Sequence, residues 1–358
     1  MIETEILIVG GGIAGATLAK YLSLSNIPTI LLQKKCNFKK PCGGGIRLDA
    51  FEEFDLDKNL IVSQIDTIVL ASHKKRIEVD ISKTPLGIVE RRAFDKYLRQ
   101  EAKKAGTTIY EAKFLDVEIQ KDCVIATVKF NDTIKKIKAK YLVGADGVHS
   151  VVRKKVYHEN VSSLMTNYSD FSHTYTTKCE FHFGLDIANR YYAWAFPESG
   201  GTNVGTLANQ NYMQNFLSHL NIKEKAKIYG YKIPEFKNPI FYKNRVFFVG
   251  DSASQVLPFT YEGIYYAMSS AKILADVICN NEEPLMYEKR WNAKYLHKFT
   301  TLKKLQKIFL YNDFTIDIMM KLYTYPSVQR QMIELWLGKK ELHLNFQFFL
   351  KVLKKILH

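Results

Sequence analysis

Short apolar runs alternate with segments of helical periodicity along most of this 358-residue chain. The first run, residues 4–9, is β-branched and nearly continuous, as expected for a strand that is buried on both faces. Glycines follow it directly, and apolar residues then recur at helical spacing over residues 13–24. The pattern therefore predicts a strand, a tight turn and a helix.

The glycines of this turn have the G-x-G-x-x-G spacing, at Gly10, Gly12 and Gly15. In a strand–turn–helix setting the first allows the tight turn, the second lets the backbone approach a pyrophosphate, and the third allows close packing of helix and strand. The free N–H groups of the helix would bind the phosphates. A glycine turn without a ligand is the alternative, and the flanking strand and helix disfavour it.

The second predicted strand, residues 28–32, lacks the acid that usually follows it in this motif and binds ribose hydroxyls. Gln33 and Lys34 stand there instead. A glutamine amide can bond a hydroxyl but carries no charge. We therefore expect a weaker ribose contact.

The middle of the chain also contains predicted strands and a predicted helix. We predict a helix over residues 96–105, a strand over 107–110, and two strands within 122–140 joined at Asn131 and Asp132. A further short strand, residues 141–143, ends in Gly-Ala-Asp-Gly. An ordinary strand-to-helix turn is the simpler reading of that tetrapeptide taken alone.

A second glycine segment lies 240 residues beyond the first. Residues 245–249 form an apolar strand that ends at Gly250 and Asp251, and Gly263 opens an apolar helix that runs to about Cys279. The carboxylate is placed to bind a ribitol hydroxyl, and the helix N-terminus can face a ring that gains negative charge on reduction. Together the two segments indicate a flavin held at both ends. Because no second strand-bound G-x-G-x-x-G occurs, we expect no separate nicotinamide domain.

Composition limits the remaining choices. The chain is long enough for two domains, and 47% of its residues are apolar, which excludes disorder. We expect no signal peptide and no membrane span. Five cysteines without C-x-x-C and nine scattered histidines predict a reducing compartment without zinc, other metal or iron–sulfur centres. The net charge of +15 is spread over the chain, so we expect a basic surface that does not bind nucleic acid. Binding of an anionic membrane or of a diphosphate-bearing substrate is the second role that this charge suggests.

Several motifs in this order resemble the flavoprotein group typified by aromatic hydroxylases. They are the early glycines, Arg91 with Phe94 and Asp95, the Gly-Ala-Asp-Gly turn at 144–147, and Gly250-Asp251 with Pro258 and residues 262–264. Two further motifs resemble those of the geranylgeranyl reductase family. They are Pro-Cys-Gly-Gly-Gly at 41–45 and Tyr-Ala-Trp-Ala-Phe-Pro at 192–197. The resemblance covers residues 1–280. Gln33 departs from it, and so does Phe-Thr-Tyr at 259–261, where small residues are more usual.

Tyr192, Trp194 and Phe196 should share one face of a strand, because residues two apart point the same way. Spacing alone favours an aromatic core, whereas the resemblance favours the wall of a prenyl channel. Free cysteine is commonly a small buried apolar residue. The resemblance nevertheless implies that Cys42 and its glycines lie beside the flavin ring, with the thiol near the substrate.

The region beyond residue 280 is predicted to be helical. Residues 284–311, 313–325 and 328–337 are the candidate helices, with breaks at Asn312, Pro326 and Gly338. Apolar residues recur at helical spacing in 346–357, with Lys351, Lys354 and Lys355 opposite or beside them. A basic amphipathic helix of this kind either lies on an anionic membrane or packs on the protein body.

Together these observations predict an α/β fold. It comprises a discontinuous Rossmann-type FAD-binding domain of the aromatic-hydroxylase type (1–61, 86–160 and 241–282), an inserted antiparallel-sheet substrate domain (62–85 and 161–240) and a helical C-terminal region (283–358). The predicted catalytic residues are Cys42 and Tyr192, and the substrate wall is Tyr192, Trp194 and Phe196. The predicted FAD contacts are Gly10, Gly12, Ala14, Gly15, Gln33, Lys34, Cys42, Gly43, Gly44, Gly45, Arg91, Phe114, Asp146, Gly147, Gly250, Asp251, Pro258, Gly263 and Ile264.

The activity implied by the resemblance is reduction of carbon–carbon double bonds in a prenyl lipid or prenyl diphosphate. Two alternatives stay open at this point: a flavin monooxygenase or halogenase, and a non-catalytic, membrane-associated protein that keeps a flavin fold. The electron donor, NAD(P)H or a ferredoxin-like protein, and the oligomeric state are not specified by the sequence. We expect a cytoplasmic protein, with the inner face of a membrane as a second location.

Overall fold

The computed structural model describes residues 1–38, 40–198, 200–337 and 355. The strands are β1 (Ile2–Val9), β2 (Thr29–Gln33), β3 (Gly45–Arg47), β4 (Ile61–Ile65), β5 (Thr67–Ala71), β6 (Arg76–Asp80), β7 (Leu86–Val89), β8 (Thr108–Glu111), β9 (Lys113–Ile119), β10 (Val124–Phe130), β11 (Thr133–Gly144), β12 (Ser163–Phe171), β13 (Cys179–His182), β14 (Ala193–Glu198), β15 (Gly201–Thr206), β16 (Tyr229–Pro234), β17 (Tyr242–Lys243) and β18 (Val246–Phe248).

The helices alternate with these strands in the first half and follow them at the end of the chain. They are α1 (Ile13–Leu24), α2 (Asp49–Glu53), α3 (Arg91–Lys104), α4 (Val151–Tyr157), α5 (Leu185–Ala188), α6 (Gln210–His219), α7 (Ile264–Cys279), α8 (Leu285–Phe309), α9 (Asp313–Tyr323) and α10 (Pro326–Leu337). Among the described residues, none of these helices combines the length and the apolar character needed to cross a membrane.

The first sheet has β1 at its centre, between the parallel strands β11 and β2. Burial on both faces is confirmed for residues 6–9 of β1, because Ile6 and Ile8 join one apolar cluster while Leu7 and Val9 join another; residues 2–5 are half-buried or exposed. Strands β8 and β18 continue the parallel sheet outward, and β9 and β10 add an antiparallel extension along β11. Helices α1, α3 and α7 cover the face that carries Ile6 and Ile8. This mixed α/β architecture is the predicted fold class.

The second sheet runs in the order β16-β12-β15-β14-β13-β5-β6. Its neighbouring strands are antiparallel except for β13 and β5, which pair in parallel and join residues 111 positions apart in the chain. A third, three-stranded sheet in the order β3-β7-β4 is antiparallel. The two large sheets contain the predicted flavin and substrate segments respectively, while the domain boundaries stay a prediction.

Three sequence-based boundaries were wrong, for local reasons. Helix α3 begins at Arg91 and not at residue 96, because the Glu90 carboxylate accepts hydrogen bonds from the Arg92 and Ala93 N–H groups and caps the helix. Residues 141–143 are the end of the twelve-residue strand β11 and not a separate strand. Helix α10 begins at Pro326 and not at residue 328, since proline fits the first helical position, where no N–H donor is needed.

Candidate active site

One large cavity, of about 620 Å3, is lined by residues from both large sheets and from α9 and α10. Its volume is typical of pockets that bind cofactors and other small molecules. Of the predicted site residues, Gly15, Gly250 and Pro258 lie outside its wall. The lining residues among them are Gly10, Gly12, Ala14, Gln33, Lys34, Cys42, Gly43, Gly44, Gly45, Arg91, Phe114, Asp146, Gly147, Tyr192, Trp194, Phe196, Asp251, Gly263 and Ile264.

The first glycine turn leaves space for a ligand at one position only. A Cβ on Gly15 would lie 1.9 Å from the Gly10 carbonyl oxygen, and one on Gly10 would lie 2.3 Å from that of Ala145. A Cβ on Gly12, by contrast, would meet no atom within 4 Å. Helix α1 begins at this point without a side-chain cap, so its first N–H groups are available to an anion. The turn therefore fits a diphosphate.

The second glycine segment packs against the first. A Cβ on Gly250, which has φ +64°, would lie 3.1 Å from the Cβ of Ala14 in α1. Asp251 lines the cavity beside Gly263 and forms an ion pair with Lys40. Helix α7 also begins without a side-chain cap. Two uncapped helix N-termini thus reach one cavity, an arrangement that suits both ends of a flavin dinucleotide.

Gln33 has a structural contact that sequence reasoning missed. Its amide oxygen accepts a hydrogen bond of 2.6 Å from the Gly11 N–H, and its amide nitrogen donates one of 2.9 Å to the Lys35 carbonyl. Arg99, which is buried, donates to the Gly11 and Cys36 carbonyls, each at 2.8 Å. The glutamine therefore holds the glycine turn in place, and its ribose contact stays a prediction.

The carboxylate of Asp146 is also hydrogen-bonded by groups of the protein itself. It accepts hydrogen bonds from the Ser150 hydroxyl and from the Val151 and Val152 N–H groups, at 2.5, 2.7 and 3.1 Å. These contacts fix the start of α4, although burial raises the pKa of Asp146. Asp146 and Gly147 still line the cavity, and a Cβ on Gly147 would meet no atom within 4 Å.

The glycines after Cys42 bring two chain segments into contact. A Cβ on Gly43 would lie 2.6 Å from the ring of Phe196, so the ring rests on the bare glycine backbone. Gly44 has φ +70°, and a Cβ there would lie 2.2 Å from the Val89 carbonyl oxygen. The two motifs that carry the prenyl-reductase resemblance, 150 positions apart in the sequence, thus meet at the cavity.

The aromatic residues form the predicted stripe. Tyr192, Trp194 and Phe196 share one apolar cluster, whereas Ala193 and Ala195 belong to the cluster on the other face of the sheet. Adjacent ring centroids in the stripe are 6.3 Å apart.

Polar contacts fix two of these rings. The Trp194 indole N–H donates to the Asn203 side-chain oxygen at 2.6 Å, and the Tyr192 hydroxyl donates to the Thr260 carbonyl at 2.8 Å. Burial raises the pKa of Tyr192, so the phenol keeps its proton at neutral pH. The stripe is therefore an ordered wall.

The unusual segment at 259–261 has a strained backbone. Phe259 and Tyr261 have φ values of +74° and +56°, which are rare for bulky residues. Gln306 of α8 contacts both, because its side-chain oxygen accepts from the Phe259 N–H at 3.2 Å and its amide nitrogen donates to the Tyr261 hydroxyl at 3.3 Å. Helix α8 thus holds the turn that leads to Gly263.

A buried polar cluster lies next to Gly263, and the sequence did not predict it. The Trp336 indole N–H donates to one oxygen of Glu262 at 2.7 Å, while the other oxygen is buried without a partner in the part of the chain that the structure describes. Burial raises the pKa of Glu262, although the cation of Arg47 opposes this. Burial also lowers the pKa of Lys298 from 10.5 to about 8. The spacing of these residues gives no signal, since they come from four separate segments of the chain.

Lys298 makes the stability of the protein depend on pH. Between pH 8 and 10.5 the folded protein holds this amine neutral while the unfolded chain keeps it protonated, so the free energy of unfolding should rise with pH across that window. We expect a contribution on the order of 2 kcal/mol, measured by urea denaturation as the difference between wild type and Lys298→Met. The exposed Lys304→Met variant is the matched control, and wild-type and Lys298→Met curves that stay parallel would contradict the assignment.

Comparison with known proteins agrees with this geometry. Residues 3–225 match the family model described as "FAD binding domain". The chain is 28% identical to a geranylgeranyl diphosphate reductase of Synechocystis sp., over 98% of the chain and 96% of that protein. It is 27% identical to a digeranylgeranylglycerophospholipid reductase of Methanococcus aeolicus, over 86% of each. A crystal structure of a geranylgeranyl bacteriochlorophyll reductase-like protein from Thermoplasma acidophilum shares the fold, with a TM-score of 0.80 at 22% identity over 93% of the chain and 96% of that protein.

Proposed function

Because the chain belongs to the FAD binding domain family, we propose that it uses its FAD to reduce carbon–carbon double bonds of a polyprenyl chain. The prenyl chain is carried by a diphosphate or by a lipid. Bound FAD, once reduced, supplies a hydride to one alkene carbon, and the other carbon takes a proton.

The contact between Gly43 and Phe196 is the observation that carries this proposal. It places an apolar aromatic wall next to the glycine loop that follows Cys42, within the same cavity as the two uncapped helix N-termini. An isolated alkene offers no polar group to bind. An enzyme that reduces it must therefore hold the chain by shape and apolar contact.

Relatives that match nearly the whole chain support the same substrate class. The Synechocystis protein is named for geranylgeranyl diphosphate and the Methanococcus protein for a digeranylgeranyl phospholipid. Both names share a prenyl chain and differ in the group that it is attached to. We therefore propose the prenyl chain as the feature that this cavity recognises.

The residues of the cavity have separate tasks. Trp194 and Phe196 line the path of the prenyl chain, and with the apolar residues of β5 and β6 they exclude water from it. The predicted catalytic residues, Cys42 and Tyr192, both carry a proton that an alkene carbon could accept. Cys42 is exposed, whereas the Tyr192 hydroxyl is buried and bonded to Thr260, so we propose that the thiol is the group that contacts substrate directly.

The structure removes the reason for considering a non-catalytic protein. That alternative rested on Gln33 replacing an acid, and the Gln33 amide has a definite role in holding Gly11. Contact with a membrane surface stays a proposal for a lipid-bound substrate. The amphipathic segment that predicted it, residues 346–357, lies outside the described residues except for Lys355.

Lipid analysis tests the proposal in cells. A host that makes geranylgeranyl lipids but does not saturate them should, on expressing this chain, gain lipids heavier by two hydrogen atoms for each reduced bond. Gly12→Ala, which targets the FAD turn, serves as the inactive control. Prenyl lipids of unchanged mass in the presence of FAD-loaded protein would overturn the proposal, and hydroxylated or halogenated products would favour the oxygen-using alternative.

The glycine loop provides a sharper test of the substrate wall. Gly43→Ala should displace the Phe196 ring and lower kcat/KM for prenyl reduction by about tenfold, since small displacements at the reacting centre are costly. Gly230→Ala is the matched control, because Gly230 is exposed outside the cavity and its Cβ would come no closer than 3.4 Å to the Met165 sulfur. Steady-state kinetics of both variants would show the contrast, and equal effects would argue against the contact.

A further inference from the structure

Helix α10 contributes one face to the cavity. Gln329, Met332, Ile333 and Trp336 line it, and their spacing of three, four and seven positions places them on one side of a helix. Leu335 supplies the buried core contact of the same helix, at 2% exposure, whereas Met332 and Ile333 are only half-buried. Met332 and Trp336 also contact one apolar cluster of the body, and Ile333 contacts another, so these side chains are ordered where they line the cavity.

The C-terminal end of α10 is attached to the flavin side of the site. The Trp336 indole donates to Glu262, which directly precedes Gly263 at the start of α7. Lys298 donates to the Trp336 carbonyl at 3.0 Å, and Arg47 donates to the Leu337 carbonyl at 3.4 Å. Basic side chains on the last carbonyls are a favourable end for a helix. These contacts fix the position of the helix along the cavity.

From this attachment, α10 extends along the substrate half of the cavity. Ile333 packs with the apolar cluster that contains Tyr192 and Trp194. The seven positions from Trp336 back to Gln329 correspond to about 10 Å of helix, and each turn rises about 5.4 Å, close to the span of one isoprene unit. Along this length the cavity face changes from apolar side chains near Trp336 to the polar Gln329.

We propose that the inner face of α10, centred on Ile333, determines the length of prenyl chain that the site accepts. This inference rests on the proposed function for its ligand class. A larger side chain at Ile333 narrows the space between α10 and the aromatic stripe, and a smaller one widens it. A hydrophobic wall discriminates ligands that differ by an isoprene unit because each buried methylene contributes to binding.

Two variants of opposite direction test the proposal in the FAD-loaded, full-length protein. Ile333→Trp should lower kcat/KM for geranylgeranyl diphosphate at least about tenfold relative to farnesyl diphosphate, and Ile333→Ala should shift the same ratio towards the longer substrate. Gln331→Trp adds the same ring on the exposed side of α10 and should leave the ratio at the wild-type value. The FAD dissociation constant and the circular dichroism spectrum of each variant show whether the fold is kept.

A binding measurement separates this inference from the proposed function. Farnesol and geranylgeraniol are titrated into the oxidised holoenzyme, and the change in flavin absorbance reports binding without turnover. If the alcohols bind with the shifted preferences but the protein with chemically reduced FAD does not reduce geranylgeranyl diphosphate, the proposed function fails and the inference on α10 stands. A length preference that is the same in wild type, Ile333→Trp and Ile333→Ala would overturn the inference, and so would the absence of binding of either alcohol to wild type.

Discussion

Replacing Gly12 with alanine is expected to weaken FAD binding by about 100-fold or more, with little change in the fold. Its backbone has φ −77° and ψ −165°, which alanine adopts readily, and the added Cβ would meet no protein atom within 4 Å. The free energy of unfolding of the apoprotein should change by about 1 kcal/mol or less. The methyl group instead occupies the space into which the turn would admit a pyrophosphate. Isothermal titration with FAD and urea denaturation measure the two quantities.

Gly15→Ala is the contrasting variant in the same turn. Its Cβ would lie 1.9 Å from the Gly10 carbonyl oxygen, so the protein itself must shift. We expect a loss of about 1–3 kcal/mol in the free energy of unfolding, together with weaker FAD binding. If Gly12→Ala bound FAD as tightly as wild type, the phosphates would have to lie elsewhere.

Removing the carboxylate of Asp95 is expected to cost about 3–5 kcal/mol of stability. Arg91 and Asp95 pair within α3 at 3.1 Å, with exposures of only 5% and 8% for their side chains. Asp95→Ala leaves the guanidinium buried without its partner. Urea denaturation at neutral pH measures the loss.

The double variant Arg91→Met, Asp95→Leu separates the charge from the packing. Replacement of a complete buried pair by apolar side chains is commonly neutral or stabilising, so this variant should be close to wild type in stability. Arg91 also lines the cavity near Cys42, so the same variant should bind FAD less tightly. A cost below about 1 kcal/mol for Asp95→Ala would mean that Arg91 is not dependent on the pair.

The elements whose signals are local could be predicted from the sequence. Helix α1 has the predicted bounds, because a glycine turn precedes it and its periodicity is regular. Helix α7 and the hairpin at Asn131 follow from equally local signals, and Asn131 adopts the positive φ expected of such a turn. The stripe at 192–196 was predictable because alternation in a strand depends only on geometry.

Contacts between distant elements could not be predicted in this way. The roles of Gln33 and Asp146 depend on which donor each side chain meets after folding, Gly11 in one case and the start of α4 in the other. The pairing of Glu262 with Trp336 joins segments 74 positions apart and follows no spacing rule. Sequence reasoning therefore predicted many of the residues that line the cavity, and it missed contacts that hold them in place.

Anaerobic single turnover tests the central claim most directly. The protein, with its FAD chemically reduced, is mixed with geranylgeranyl diphosphate or a geranylgeranyl lipid in the absence of oxygen, and flavin absorbance and product mass are followed together. We predict that oxidised FAD appears as the substrate gains two hydrogen atoms, in equal molar amounts. Flavin that stays reduced beside a substrate of unchanged mass, and that reacts only once oxygen is admitted, would contradict a prenyl reductase.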